Sequence, residues 1–233
     1  MLRTIVHITD NSLEPVLADK CQALLMKVAG DTPIISVSQK PISLGKNICV
    51  GEIGRSHLSL FKQLSIGVML ATTPIVVIAE HDCLYTSEHI NWEPPTLDTF
   101  YYNNNQWFAQ YGGRHKNLYT HMRRRVLSQL IVGRNIALDA LWERVNLLEH
   151  GYHLIKGAAG ACEPGCLDAE AFVKDPNNKD LGKDPTKWKA KRFSTQLPNL
   201  DIRHDQNFSG GRLGKDGTYS LPYWGTFAEV MNG

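Results

Sequence analysis

The chain has no apolar run long enough to cross a bilayer. Its longest, Ile66 to Ala79, is interrupted by Thr72-Thr73-Pro74, so no transmembrane helix is expected. No secretory leader is visible either, because strand-like residues begin at Thr4 and Asp10 soon follows. Cysteine is sparse and odd in number: Cys21, Cys49, Cys83, Cys162 and Cys166 are scattered as reduced thiols would be in a cytosol. A cytoplasmic protein is therefore expected, without a membrane partner. Net charge is also small, +2 over 233 residues, so any affinity for nucleic acid must come from local patches. There is no internal repeat and no second core large enough for an independent domain. What remains is a hydrophobic fraction of 42% with 21% charge, ordinary for one large globular domain over 1–233.

The stretch that organises the rest is Ile75-Val-Val-Ile-Ala-Glu-His-Asp82. Five small or β-branched apolar residues predict a strand buried on both faces. Open α/β sheets bind ligands beyond the C-terminal ends of such strands. Side chains at the first and third positions of a strand share a side, so Glu80 and Asp82 can reach one point. Two oxygen donors with open positions suit Mg²⁺ or Mn²⁺; the plainer reading is a solvated loop entrance.

Upstream, Thr4–Thr9 reads as a strand, Leu13 to Val28 as a helix capped by Ser12, and 33–38 as a second strand. The 39–54 stretch reads as a glycine-punctuated loop. A helix over 56–72 ends at Pro74 and feeds the 75–79 strand. This β-α-β-α-β order predicts a mostly parallel sheet flanked by helices. Asp98–Asn103 reads as another strand, and apolar spacing predicts one long helix over 120–150, kinked near Gly133. The 174–192 and 209–217 stretches read as exposed loops, the second glycine-rich and suited to closing over a substrate.

Three further constellations carry chemistry. His204, flanked by Arg203 and Asp205, reads either as a surface turn or as a third metal ligand, with Arg203 or Arg212 facing phosphate. His150, His153, Cys162 and Cys166 are spaced loosely enough for a structural zinc or for none. Glu163 is a candidate general base or a capping carboxylate. Arg123 to Arg125 and Lys187 to Arg192 are basic; the latter includes Trp188, which suits phosphate and a stacked base, or a solvated face.

Taken together, Thr9-Asp10-Asn11, Ser36 to Pro41, Gly45-x-Asn47, Ala79-Glu-His-Asp-Cys-Leu-Tyr85 and the late His204 resemble GT-A-type glycosyltransferases, in particular small phage and bacterial members. The resemblance covers most of 4–110 and the short 198–209 segment. It implies a GT-A-like fold, with 1–110 binding a nucleotide-sugar, most often UDP-linked, and an irregular 111–233 half on the acceptor side. By that resemblance Asp82 and His204 hold Mn²⁺ or Mg²⁺, and Glu80 assists while His81 is structural. Thr9, Asp10 and Asn11 hold the nucleotide, and Gln39, Asn47 and Gln63 line the same cleft. Some phage relatives glycosylate hydroxymethylated bases, so the implied acceptor includes double-stranded DNA bearing 5-hydroxymethylcytosine, by arabinosyl or related transfer in a host cytoplasm. The family's acidic base pair is not found; Glu163 and Asp201 stand nearest to it. The rival readings are a zinc-containing nucleic-acid-binding module and a nucleotidyltransferase on the same sheet.

Overall fold

The computed structural model describes residues 1–122, 124–154, 163–166, 172–173, 187–207 and 215–232. The chain opens with β1 (Arg3–Thr9), α1 (Pro15–Ala29), β2 (Ile34–Ser38), β3 (Lys46–Cys49), α2 (His57–Leu70) and β4 (Ile75–Glu80). It continues through β5 (Cys83–Leu84), α3 (Ser87–Asn91), β6 (Phe100–Asn103), β7 (Gln106–Gln110), β8 (Tyr119–Met122), a 3₁₀ turn (Leu127–Gln129), β9 (Leu130–Gly133) and α4 (Arg134–Glu149). Then come β10 (His153–Leu154), β11 (Phe172–Val173), β12 (Ala190–Phe193), β13 (Asn199–Arg203), β14 (Lys215–Thr218) and α5 (Phe227–Asn232).

Seven strands form the main sheet in the order β12-β6-β9-β4-β1-β2-β3. All run parallel except β9, which is antiparallel to both β4 and β6. The mixed, mostly parallel α/β architecture expected from the sequence is the one observed. β4 is central and buried on both faces. Val76 and Ile78 pack with Phe61, Leu64 and Val68 of α2 and with Ala137, Leu141 and Val145 of α4. Ile75, Val77 and Ala79 face the other way, onto Leu25 and Ala29 of α1. That two-sided burial is why the segment has no polar alternation.

A second, five-stranded sheet has the order β14-β8-β7-β13-β5. It brings the C-terminal part of the chain back to the end of β4. β13 pairs antiparallel with β5, placing Asp201 opposite Cys83, and parallel with β7. The backbone N–H of Ile202 donates to Asp82 O at 2.7 Å.

Several local expectations change. The 120–150 helix is instead β8, the 3₁₀ turn, β9 and only then α4. Leu130-Ile-Val132 is a buried strand, and Gly133 is a junction rather than a kink. A Cβ there would lie 2.1 Å from Leu97 O. Ser12 does not cap α1: its Oγ donates to Asp10 Oδ1 at 2.7 Å, and the helix begins at Pro15. Its buried face is Leu17, Cys21, Leu25 and Ala29, while Val16 is exposed. The 39–54 loop contains edge strand β3, and the 174–192 loop ends in edge strand β12. No helix among the described residues is long and apolar enough to cross a membrane.

Candidate functional site

A cavity of about 490 Å³ opens where β1 and β4 end. Its walls include Thr9, Asp10, Gln39, Gln63, Glu80, Asp82, Glu163, Asp201 and Arg203, all singled out from the sequence. They arrive from several separate parts of the chain. Thr9 ends β1, Glu80 ends β4, and Asp82 lies in the turn after it. β13 supplies Asp201 and Arg203. Glu163 sits in a turn pinned against β6 and its neighbours: Tyr102 Oη donates to Pro164 O at 2.8 Å, and Arg125 donates to Gly165 O at 2.6 Å.

A group that can hold a cation stands at its edge: His81 and Asp82 line the cavity, while His204 lines a neighbouring pocket beside Ser12 and Leu13. The ligand atoms of His81, Asp82 and His204 lie within 4.8 Å of one another. His204 Nε2 is 3.6 Å from Asp82 Oδ2, and it is buried with no hydrogen-bond partner. A buried ring nitrogen left orphaned beside a carboxylate fits a bound ion. His81, read from the sequence as structural, belongs to this group. Its Nδ1 lies 2.9 Å from Thr9 Oγ1 and 3.6 Å from Asp10 Oδ1. Such partners orient a ligating imidazole, leaving the other ring nitrogen for the metal. One carboxylate and two imidazoles fit Mn²⁺ or another transition metal better than Mg²⁺, which prefers oxygen. Among the described residues no other group of three His, Cys, Asp or Glu side chains converges in this way. Cys162, needed for the zinc reading, lies outside those residues, as does Arg212; His150 Nδ1 is 2.8 Å from Asn146 O of its own helix end.

The charges are divided. Burial drives the Asp82 carboxyl upward, but His204, His81 and Arg203 outweigh it and hold Asp82 below its ordinary value. Burial and the nearby Asp82, Asp201 and Glu163 charges push Glu80 well above the carboxylate range. Asp201 is pushed up to about 7 by burial and Asp82, against the opposing Arg203. Glu163 also reaches about 7, through burial, against Arg144 and Arg124. The two differ in their partners. Asp201 accepts from Gln106 Nε2 at 3.1 Å and from Arg203 at 3.3 Å. Glu163 Oε2 is buried without a partner.

Two residues expected in the cleft serve its scaffold instead. Asn11, at φ 59°, accepts from the backbone N–H groups of Gln39 and Lys40, which ties the end of β1 to the end of β2. Asn47 donates to Ser36 and Ser38 and accepts from Ile42 N–H, so its amide is used up inside the β2–β3 edge. Gln63 lines the cavity while its Nε2 donates to Thr9 O and Val37 O. Arg55 and Asn207 were not anticipated. Arg55 bonds Asp10 and the carbonyl of Gln206, joining the β1 end to the turn after β13. Only its place beside Gly54 in a loop signalled it. Phe108, Met122, Val126 and Leu127 make the cavity's apolar wall, with Arg124 at its rim.

Fold and site together define a mixed α/β domain with a cation-ready cavity at the ligand edge of its sheet. No family model matches the chain, and no curated protein matches its sequence. Among solved structures it is similar to a glycosyltransferase involved in glycosylation of the major capsid of PBCV-1. Identity is 10% over 86% of this chain and 92% of that one, with a TM-score of 0.45. It is also similar to S. aureus TarS in complex with UDP-GlcNAc, at 10% identity over 89% of this chain and 60% of that one, TM-score 0.45. A Drosophila β1,4-galactosyltransferase 7 mutant in complex with manganese, UDP-Gal and xylobiose is similar at 12% identity over 58% and 50%, TM-score 0.34. Likeness this distant bears on neither substrate nor reaction, which rest on the site alone.

Proposed function

We propose that the protein is a metal-dependent glycosyltransferase of GT-A type that uses a nucleoside-diphosphate sugar, most simply a UDP-sugar. The observation that carries this reading is the His81–Asp82–His204 group at the edge of a cavity that its His81 and Asp82 line, together with Glu163, whose Oε2 is buried in the same wall without a partner. A divalent ion on Asp82, His81 and His204, with Mn²⁺ the best fit, would neutralise the charge developing on a leaving diphosphate. Arg203 and Arg55, both in the cavity wall, add positive charge for the same anion. Thr9, Asp10 and Gln39 line the nucleotide end. Glu163, rather than Asp201, is the better general base, because Gln106 and Arg203 already occupy the Asp201 oxygens. It would take the proton of an acceptor hydroxyl as that oxygen attacks the anomeric carbon and the bond to the diphosphate breaks.

The basic 187–192 stretch lends a hydroxymethylated-DNA acceptor little support, although Arg124 of the other basic stretch stands at the cavity rim. Lys187 bonds Glu143 and lies over the Trp188 ring, and Lys189 bonds Asp98. Both precede β12, whose direction matches β4, so they sit at the sheet edge opposite the cavity. The acceptor is better sought among smaller hydroxyl compounds that fit the Phe108–Met122–Leu127 wall.

Calorimetric titration with UDP tests the donor half. Binding should require Mn²⁺ and vanish in Asp82→Ala, whose circular dichroism should match wild type. Unchanged UDP affinity in that variant would remove the metal assignment. Mass analysis of products from a UDP-sugar panel follows, and pyrophosphate release from a nucleoside triphosphate would point to nucleotidyl transfer instead.

A further inference from the structure

The turn after β13 is built around Asn207. Its Nδ2 donates to Asp82 Oδ2 at 2.8 Å, and its Oδ1 accepts the backbone N–H of His204 at 2.6 Å. A backbone N–H can only donate, so these partners fix which end of the amide faces the carboxylate. One side chain thus grips two members of the cation group that are far apart in sequence. Asn207 also lines the cavity.

We propose that Asn207 is a positioning residue for the cation, resting on the metal reading above. Its neutral amide satisfies one lone pair of Asp82 Oδ2 without adding charge. A carboxylate offers about four lone-pair sites; the Cys83 thiol reaches Oδ1 at 3.7 Å, and the remaining sites are left for an ion. The same amide sets the height of the His204 backbone, and with it the 3.6 Å approach of His204 Nε2 to Asp82. Asp82 and His204 are therefore held at the site before the ion arrives. Residues in this supporting role typically change metal affinity by about 10–100-fold.

The full chain is titrated with Mn²⁺ alone, and free Mn²⁺ is read by electron paramagnetic resonance. Wild type should bind, Asp82→Ala should not, and Asn207→Ala should bind about 10–100-fold more weakly. Asn207→Asp keeps an acceptor for the His204 N–H but sets a carboxylate against Asp82. Its Tm without metal should fall, and Mn²⁺ should raise that Tm by more than it raises the wild-type value. A residue that only fills space would not produce this reversal. Asn207→Ala with lowered Tm and wild-type Mn²⁺ affinity would overturn the proposal while leaving the metal site standing. Equal Mn²⁺ responses in Asn207→Asp and wild type would do the same, and this arm suffices if the alanine variant does not fold. Wild-type protein that binds no Mn²⁺ would remove the site itself.

Discussion

Glu163 stores a cost that pH reveals. The residue is 6% exposed, and its carboxyl is pushed up to about 7, chiefly by burial. A raised acid contributes stability in its protonated form, fully below its unfolded value near 4.5, and loses that contribution as pH climbs through about 7. Wild-type protein should therefore lose about 3 kcal/mol relative to Glu163→Gln between pH 4.5 and 7.5. Urea melts at several pH values measure this, and parallel curves for the two proteins would contradict the burial of an ionisable group there. At this scale the sequence was informative where spacing is local. Glu80 and Asp82 share the cavity, as their spacing suggested, though Asp82 reaches it from the turn after β4. His81, expected to be structural, does bond Thr9, and it also stands in the group that could hold an ion, because β4 ends at Glu80 and alternation no longer governs the turn. Asn207 stands in a polar run whose composition gives no hint of which oxygen it will hold.

Elements were legible in proportion to their burial. β4 declares itself because both faces are covered. β3 and β12 do not, since each lies at an edge of the main sheet and carries exposed, partly charged residues. The 120–150 region misled because Val126, Leu130 and Ala137 fit helical spacing although Val126 lies just before the 3₁₀ turn, Leu130 in β9 and Ala137 in α4. Gly133 is the residue that separates them. Replacing it with alanine would put a methyl 2.1 Å from the Leu97 carbonyl oxygen, and a carbonyl of the main chain cannot step aside as a side chain can. Gly133→Ala should cost about 1–3 kcal/mol. A lowered urea midpoint at unchanged slope would show it; an unaltered midpoint would mean that the β9–α4 junction is looser than it looks.

For the whole molecule, the decisive contacts are the ones no local pattern encodes. β13 must pass between β5 and β7 before Asp201, Arg203 and His204 can stand near Asp82. The cavity walls therefore come from both ends of the chain, and a ligand that fills them binds only the folded protein. At about 100 times its dissociation constant, UDP with Mn²⁺ should add about 2.7 kcal/mol. For a chain of this size that raises Tm by roughly 5–10 °C. Scanning fluorimetry that shows the shift with Mn²⁺ alone but no increment from UDP would separate ion binding from donor binding.

The reversed strand β9 has its own consequence. Because it runs against its neighbours, the chain enters it at the edge where β4 leaves. The connection that leads into it therefore supplies Arg124, Val126, Leu127 and Ser128 to the cavity. Those four residues come from one contiguous piece of sequence, separate from the cation group, and complete the wall that Phe108 and Met122 begin. Exchanging that piece between relatives would be a modular way to change what the cavity admits while the ion-holding residues stay as they are.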